Sequence, residues 1–460
     1  MNEFHSRGKE ILKIFINNGY EAYFVGEAVR NIILSKSLQT IEITTSAHLE
    51  IVKQLFQDCI INDINENLIS VKYAGYTYYI KSFASSGSKV NNSILTKHYS
   101  KNLLDDLASR DYSINAIAMS HSGKLTDAYE GYSDINKRLI AHIGNSKERF
   151  FKDPSLIIKG FALMSELNYK FVSKTKKAII RRKKYLTHSD IDLLLDDLKK
   201  MFEGVYVKRA LYTMCKYNVH KTIPVFNKVL RKLQSNYKKQ TFEEILLMAD
   251  VLNGKLNDKF RRFISDYDEY CKVYDIVLEN KNFRYDPVTL YTKGLKSCVA
   301  ANKINYYLGR SKLKVKAINK KWDKLIVKSP EELNYRVENL MKIIREKDHD
   351  KIKFVQDELV KLVLVGEIKN TRTDLEKTVI QILQKNNIYY NLQGVFNSNN
   401  EKELENNNSD ISYDDSNEIK VVVNDIIKML EEDKNINSFS KEFEKDLYSL
   451  IKKYTKKGDS

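Results

Sequence analysis

"YFVGEAVRNIILSKSLQTIEITTSA" occupies residues 23–47, and its reading decides the fold. An apolar stretch ends at Gly26, "EAVRNIILS" restarts with helical spacing, and "TIEITT" (40–45) has the β-branched character of a strand. Strand, glycine turn, helix and second strand is the layout of a nucleotide-handling site. The glycine lets backbone amides approach an anion, and the helix N-terminus favours its charge. Residues two apart on a strand share a face, so a two-metal site would want two carboxylates on the second strand. Here those places hold Thr40 and Glu42.

Working outward, residues 5–18 read as an amphipathic helix with Ile11, Leu12, Phe15 and Ile16 on one face. Residues 47–56 read as a helix opened by Ser46 as its N-cap. "LISVKYAGYTYYIKSFA" (68–84) alternates around Ala74-Gly75 as a β-hairpin. "DLASRDYSINAIAMS" leads into another helix, and "GKLTDAYEGYSDINKRLIAHIG" reads as a strand and then a loop. From about residue 147 helix follows helix without strand signals, so a mixed α/β first third precedes an all-α remainder. The tract 397–418 is nearly devoid of apolar residues and reads as a disordered linker before a last helical piece.

The 460 residues suffice for two to four domains and a sizeable core. Lys+Arg exceeds Asp+Glu by 77 − 60, or +17, which favours a polyanionic partner because each neutralised phosphate releases counterions. The four cysteines lie far apart without metal-ligand spacing, as free thiols in a reducing compartment would. No apolar run reaches the roughly 18 residues of a membrane span, and the first residues do not form a signal peptide, so a cytoplasmic protein is expected.

In four places, in order and spacing, the chain resembles the bacterial-type (class II) tRNA nucleotidyltransferase and poly(A) polymerase family, the CCA-adding enzymes. "YFVGEAVRNIIL" is similar to the family's G-G-x-x-R-D turn, with Gly26 and Arg30 matching and Glu27 and Asn31 departing. "TIEITTSA" aligns with its D-x-D strand, with Thr40 and Glu42 in place of the two aspartates. "DLASRDYSINAIAM" is close to R-R-D-F-T-I-N-A-M, keeping Arg110, Asp111 and Asn115. "KDPSLIIKG" follows E-D-x-x-R, keeping Asp153 but carrying Lys152 and Leu156 for the glutamate and arginine. The resemblance implies a polymerase-β-like nucleotidyltransferase head (1–146), a helical neck and body that binds RNA (147–270), a helical body and tail (271–396), the linker (397–418) and a C-terminal helical segment (419–460).

It further implies an activity that the substitutions undercut. Mg²⁺ demands hard oxygen ligands in near-octahedral geometry, and Thr40 supplies no charge. Glu42 is a methylene longer than aspartate, and misplacement by an ångström costs on the order of a hundredfold in rate. The hairpin segment "YTYYIKSFA" has no carboxylate to compensate; Asp111 is the acid kept, and Asp105 or Asp106 could approach. Glu27 puts negative charge in the triphosphate cradle, and Leu156 cannot read a base edge. Gly26, Arg30, Arg110, Asn115 and Asp153 are the candidate nucleotide-binding residues, with two alternatives left open. Arg30 either holds a phosphate or forms an ion pair on a helix surface, and Asp153 either reads a base or caps the Pro154 helix, the reading favoured here.

The expectation is therefore a tRNA-binding member of the family with its transfer activity lost or strongly reduced. The nucleotide triphosphate is doubtful as a partner. The alternative is an active enzyme adding CMP and AMP to RNA 3′ ends, with Mg²⁺ held by Glu42 and Asp111. The basic stretches "KTKKAIIRRKKY" (174–185) and "SKLKVKAINKKWDK" (311–324) could follow an RNA backbone, the first supplying the candidate contacts Lys174, Lys176, Lys177, Arg181, Arg182, Lys183 and Lys184, with Tyr185 or Trp322 stacking on bases.

Overall fold

A computed structural model describes residues 3–85, 98–279, 285–344, 349–388 and 390. The expected linker 397–418 and C-terminal segment 419–460 lie outside the described residues. The chain divides into two units, residues 1–328 and 329–460.

The first unit begins with helix α1 (Glu3–Asn17), whose Ile11, Leu12 and Phe15 are fully buried as the spacing predicted. Strand β1 (Ala22–Val25) follows, then α2 (Glu27–Ile33), β2 (Ile41–Thr45), α3 (Leu49–Leu55) and the meander β3 (Ile60–Asn65), β4 (Leu68–Tyr73), β5 (Tyr76–Ser82). The hairpin between β4 and β5 turns at Ala74 and Gly75, both at positive φ, as the sequence indicated. A small ladder pairs β6 (Ala84–Ser85) with β7 (His98–Tyr99). Helix α4 (Leu103–Ser109) then leads to β8 (Ile117–Met119) and β9 (Leu125–Asp127). Seven of these strands form one sheet in the order β3-β4-β5-β2-β1-β8-β9, antiparallel except for the parallel pair β2–β5.

Four local features differ from the sequence reading. Ser46 does not cap α3; its hydroxyl accepts from the Glu21 backbone N–H (2.9 Å) and ties β2 to β1. Strand β3 lies at the sheet edge with every position exposed or half-buried, so it lacks the alternation by which strands are recognised. Residues 113–119 form a 3₁₀ turn and buried strand β8 instead of a helix, because Tyr112, Ile114 and Ile117 each fill core sites. Residues 131–137 form α5 (Gly131–Lys137) where a loop was expected; the Asp127 carboxylate accepts from the N–H groups of Gly131 (2.9 Å) and Tyr132 (2.8 Å) and starts it.

After β10 (Leu139–Ile140) the chain runs through α6 (Ser146–Lys152) and α7 (Ser155–Leu167) to β11 (Lys170–Phe171), which returns to pair with β10. Helices α8 (Ser173–Arg182), α9 (Asp192–Glu203), α10 (Val207–Lys216), α11 (Asn227–Asn236), α12 (Phe242–Asn253) and α13 (Tyr267–Glu279) follow, then α14 (Pro287–Lys293), α15 (Leu295–Tyr307) and α16 (Val315–Asp323). One apolar core runs without a break from Phe4 in the head to Leu308 just after α15. The second unit packs α17 (Val337–Ile343), α18 (His349–Val365) and α19 (Arg372–Lys385) on their apolar faces, with Leu359, Val379 and Leu383 buried. The four cysteines are free, and no described helix is long and apolar enough to cross a membrane.

Candidate active site

The head's candidate centre lies where β2, β5, the Gly26 turn and the end of α4 converge. Glu42 pairs in register with Val25 on one side and Tyr79 on the other, so its side chain rises from the middle of the sheet. Thr40 lies before β2 and is exposed. Gly26 has φ 71°, which favours glycine. A Cβ there would stand 3.0 Å from Glu42 Oε2 and 3.3 Å from Arg110 Nη1, so the glycine also makes room for this pair.

The Glu42 side chain is 35% exposed, and its carboxylate is engaged by two cations. Its Oε1 accepts from Arg110 Nη2 at 3.0 Å and lies 3.4 Å from Lys81 Nζ. The same two cations reach Asp106, which is fully buried: Arg110 Nη2 at 3.1 Å and Lys81 Nζ at 3.4 Å. Burial would raise the Glu42 carboxyl, but Arg110 and then Lys81 outweigh it and hold it at about 2. Asp106, and not Asp105, is the acid that approaches, fixed one helical turn before Arg110 on α4.

Asp111 belongs to a second cluster. Its carboxylate is held by Lys159 of α7 and by Arg149 at 3.3 Å. Burial works to raise Asp111, and Lys159 followed by Arg149 reverse the sign and hold it below the usual carboxylate range. Arg149 also donates to the carbonyls of Arg110 (2.6 Å) and Ser109 (3.0 Å), so it fixes the chain on which Arg110 and Asp111 sit. Glu42 and Asp111 thus each face their own pair of cations, and as arranged these residues do not fit a Mg²⁺ shared between them. Among the described residues no group of three or more His, Cys, Asp or Glu is arranged to hold a metal.

The cradle residues are likewise committed. Arg30 is 1% exposed, donates to Asn115 Oδ1 (2.8 Å) and pairs with Glu166 of α7. Of the two readings of Arg30, the ion pair is present, but buried against α7 instead of on a helix surface, and the side chain engages Asn115 as well. Glu27 is exposed at the first turn of α2, where it accepts from Asn31 Nδ2 (3.4 Å). Asp153 caps α7, accepting from the Ser155 N–H (3.0 Å) and hydroxyl. Leu156 is buried, and Lys152 pairs with Glu148 (2.7 Å) on the surface.

The basic stretch divides by exposure. Lys174, Lys177 and Arg181 are exposed at i, i+3 and i+7 on α8 and pair with no carboxylate among the described residues. Lys176 lies over the Tyr217 ring (5.4 Å), and Lys184, also exposed, over Tyr185 (5.3 Å). Arg182 lies against both Phe151 and Tyr185, and Lys183 donates to the Tyr217 carbonyl, so these two are half-buried. Tyr185 meets Phe151 edge-on at 4.8 Å, and Trp322 packs on the cluster of Tyr285, Leu290, Cys298 and Ile318. Lys81, Arg149, Lys159 and Glu166 escaped the sequence reading. Lys81 carried a signal, since it is the single charge in "YTYYIKSFA".

Residues 22–141 match the poly(A) polymerase head domain, and residues 259–379 match tRNA nucleotidyltransferase domain 2. The CCA-adding enzyme of Staphylococcus haemolyticus is 26% identical over 391 residues, covering 82% of this chain and 98% of that protein. That of Bacillus subtilis is 25% identical, covering 80% and 96%. The fold is similar to the Bacillus stearothermophilus CCA-adding enzyme solved with CTP (TM-score 0.66, 21% identity, 84% and 99% covered). It is also similar to the Thermotoga maritima CCA-adding enzyme solved with tRNA (TM-score 0.54, 17% identity, 83% and 96% covered).

Proposed function

Because the chain belongs to the class II tRNA nucleotidyltransferase and poly(A) polymerase family, we propose that it binds tRNA or a tRNA-like RNA with nucleotidyl transfer strongly reduced or lost. One observation carries this reading: Glu42, the carboxylate left on the strand that aligns with the family's D-x-D, is tied into ion pairs with Arg110 and Lys81. A two-metal mechanism needs adjacent free carboxylates to activate the 3′-hydroxyl and neutralise the leaving pyrophosphate. The base-reading position is a buried Leu156, so selection between C and A fails along with the chemistry. RNA binding rests on the exposed, unpaired face of Lys174, Lys177 and Arg181. Gly26, Arg30, Arg110 and Asn115 are retained in this reading as the frame of the head, and Asp153 as the cap of α7.

The colinear match over nearly the full length of CCA-adding enzymes favours a second reading, an active transferase using Mg²⁺. Purified protein is incubated with tRNA lacking its 3′ end, labelled CTP or ATP, and Mg²⁺ or Mn²⁺. The first reading expects tRNA binding without incorporation. Robust incorporation abolished by Glu42→Ala would establish the second.

A further inference from the structure

We propose that Lys81 and Arg110 take the cationic role that a two-metal centre gives to divalent ions, so that the head's centre is a metal-free ion-pair tetrad that excludes Mg²⁺. The inference rests on the reading above and deepens it: the site is not only short of ligands but filled with its own positive charge. Lys81 reaches it by strand geometry. In the parallel pair β2–β5, Glu42 stands opposite Tyr79 and Thr44 opposite Lys81. Lys81 is therefore Glu42's diagonal neighbour on the same face. Its Nζ lies 3.4 Å from both Glu42 Oε1 and Asp106 Oδ1, and Arg110 bridges the same two carboxylates at 3.0 and 3.1 Å. Two carboxylates and two cations balance, with no net negative charge left to attract a cation.

The tetrad is also held in place. Lys81 and Arg110 side chains are 14% and 8% exposed and Asp106 is fully buried, so water screens that half of the tetrad little, while Glu42 at 35% is its wetter side. Asp106 is fully buried and accepts the Ala84 backbone N–H (3.3 Å), which fixes its carboxylate. Gly26 leaves the gap into which the Glu42–Arg110 pair fits. A divalent ion would need the same oxygens at about 2.1 Å and would meet an ammonium within a few ångströms. Restoring the aspartates alone therefore leaves the obstacle in place.

The test titrates full-length protein with Mn²⁺, reading free Mn²⁺ by electron paramagnetic resonance. It compares the wild type, Thr40→Asp/Glu42→Asp, and that pair combined with Lys81→Thr. The wild type should show no stoichiometric site, and the triple variant should bind at least tenfold more tightly than the double. If the triple binds no more tightly than the double, Lys81 is not the barrier and the proposal falls. Stoichiometric Mn²⁺ binding by the wild type also overturns it. Thermal melts accompany each variant, and Lys81→Met, which keeps the apolar stem, replaces Lys81→Thr if the latter does not fold. The RNA reading fails separately, through absent tRNA binding or robust incorporation in the extension assay, so the two failures are distinguishable.

Discussion

Glu42 has its carboxyl held at about 2, below the usual 4.5, because Arg110 and Lys81 overcome the burial that would raise it. A carboxyl depressed in the fold contributes stability that is present above its unfolded value and lost as pH falls towards the folded one. Glu42→Gln should therefore lower the melting temperature at pH 6, and the gap from wild type should close between pH 4.5 and about 2. A gap that stays constant over that window would mean Glu42 is not paired as described. The substitutions themselves were legible, since Thr40, Glu42 and Leu156 each depart from the family's motifs. The pairing of Glu42 with Lys81 was not. A residue's charge alone does not tell which face of the strand it occupies or what stands diagonally across.

Helix α8 presents Lys174, Lys177 and Arg181 in one row, and a row of cations that pair with no carboxylate among the described residues is suited to a phosphate backbone. Reversing all three to glutamate should weaken tRNA binding more than tenfold at about 0.1 M salt and flatten the salt dependence by roughly one unit for each phosphate no longer neutralised. Filter binding across a salt series reads both, and unchanged affinity would remove this helix from the interface. Helices α12 and α13 share a different feature: buried Asp250 accepts from the Tyr270 hydroxyl at 2.8 Å. Burial pushes Asp250 up to about 7, against the opposing hydrogen bond from Tyr270. A carboxyl raised in the fold favours the protonated state, so stability should decline as pH rises from about 4 through 7. Asp250→Asn should abolish that decline, measured as melting temperature against pH; a parallel curve would refute it. Elements with clear periodicity, such as α1 and the β4–β5 hairpin, were legible. Edge strand β3 and α5 were not, because one lacks alternation and the other is started by Asp127 across a turn.

Across the first unit the apolar core is continuous from the head into the helices, so head and neck should melt together. Their seam is visible at Gly160 of α7. A Cβ there would collide with the hydroxyl of Tyr112, a fully buried head residue, and stand 2.9 Å from Phe171. Tyr112 also donates to the Leu156 carbonyl at 2.6 Å, and Arg30 reaches Glu166 from the other side. The mixed head followed by helices was legible from the change of pattern near residue 147. This seam was not, because Tyr112 and Gly160 are separated by 48 positions and carry no pattern linking them. Gly160→Ala should cost about 1–3 kcal/mol by overpacking. In calorimetry it should shift one transition to lower temperature while leaving that transition unsplit. Separate melting of a head transition ahead of the rest would show that the core is continuous in space without being cooperative, and that the arginine and tyrosine contacts do not couple the parts.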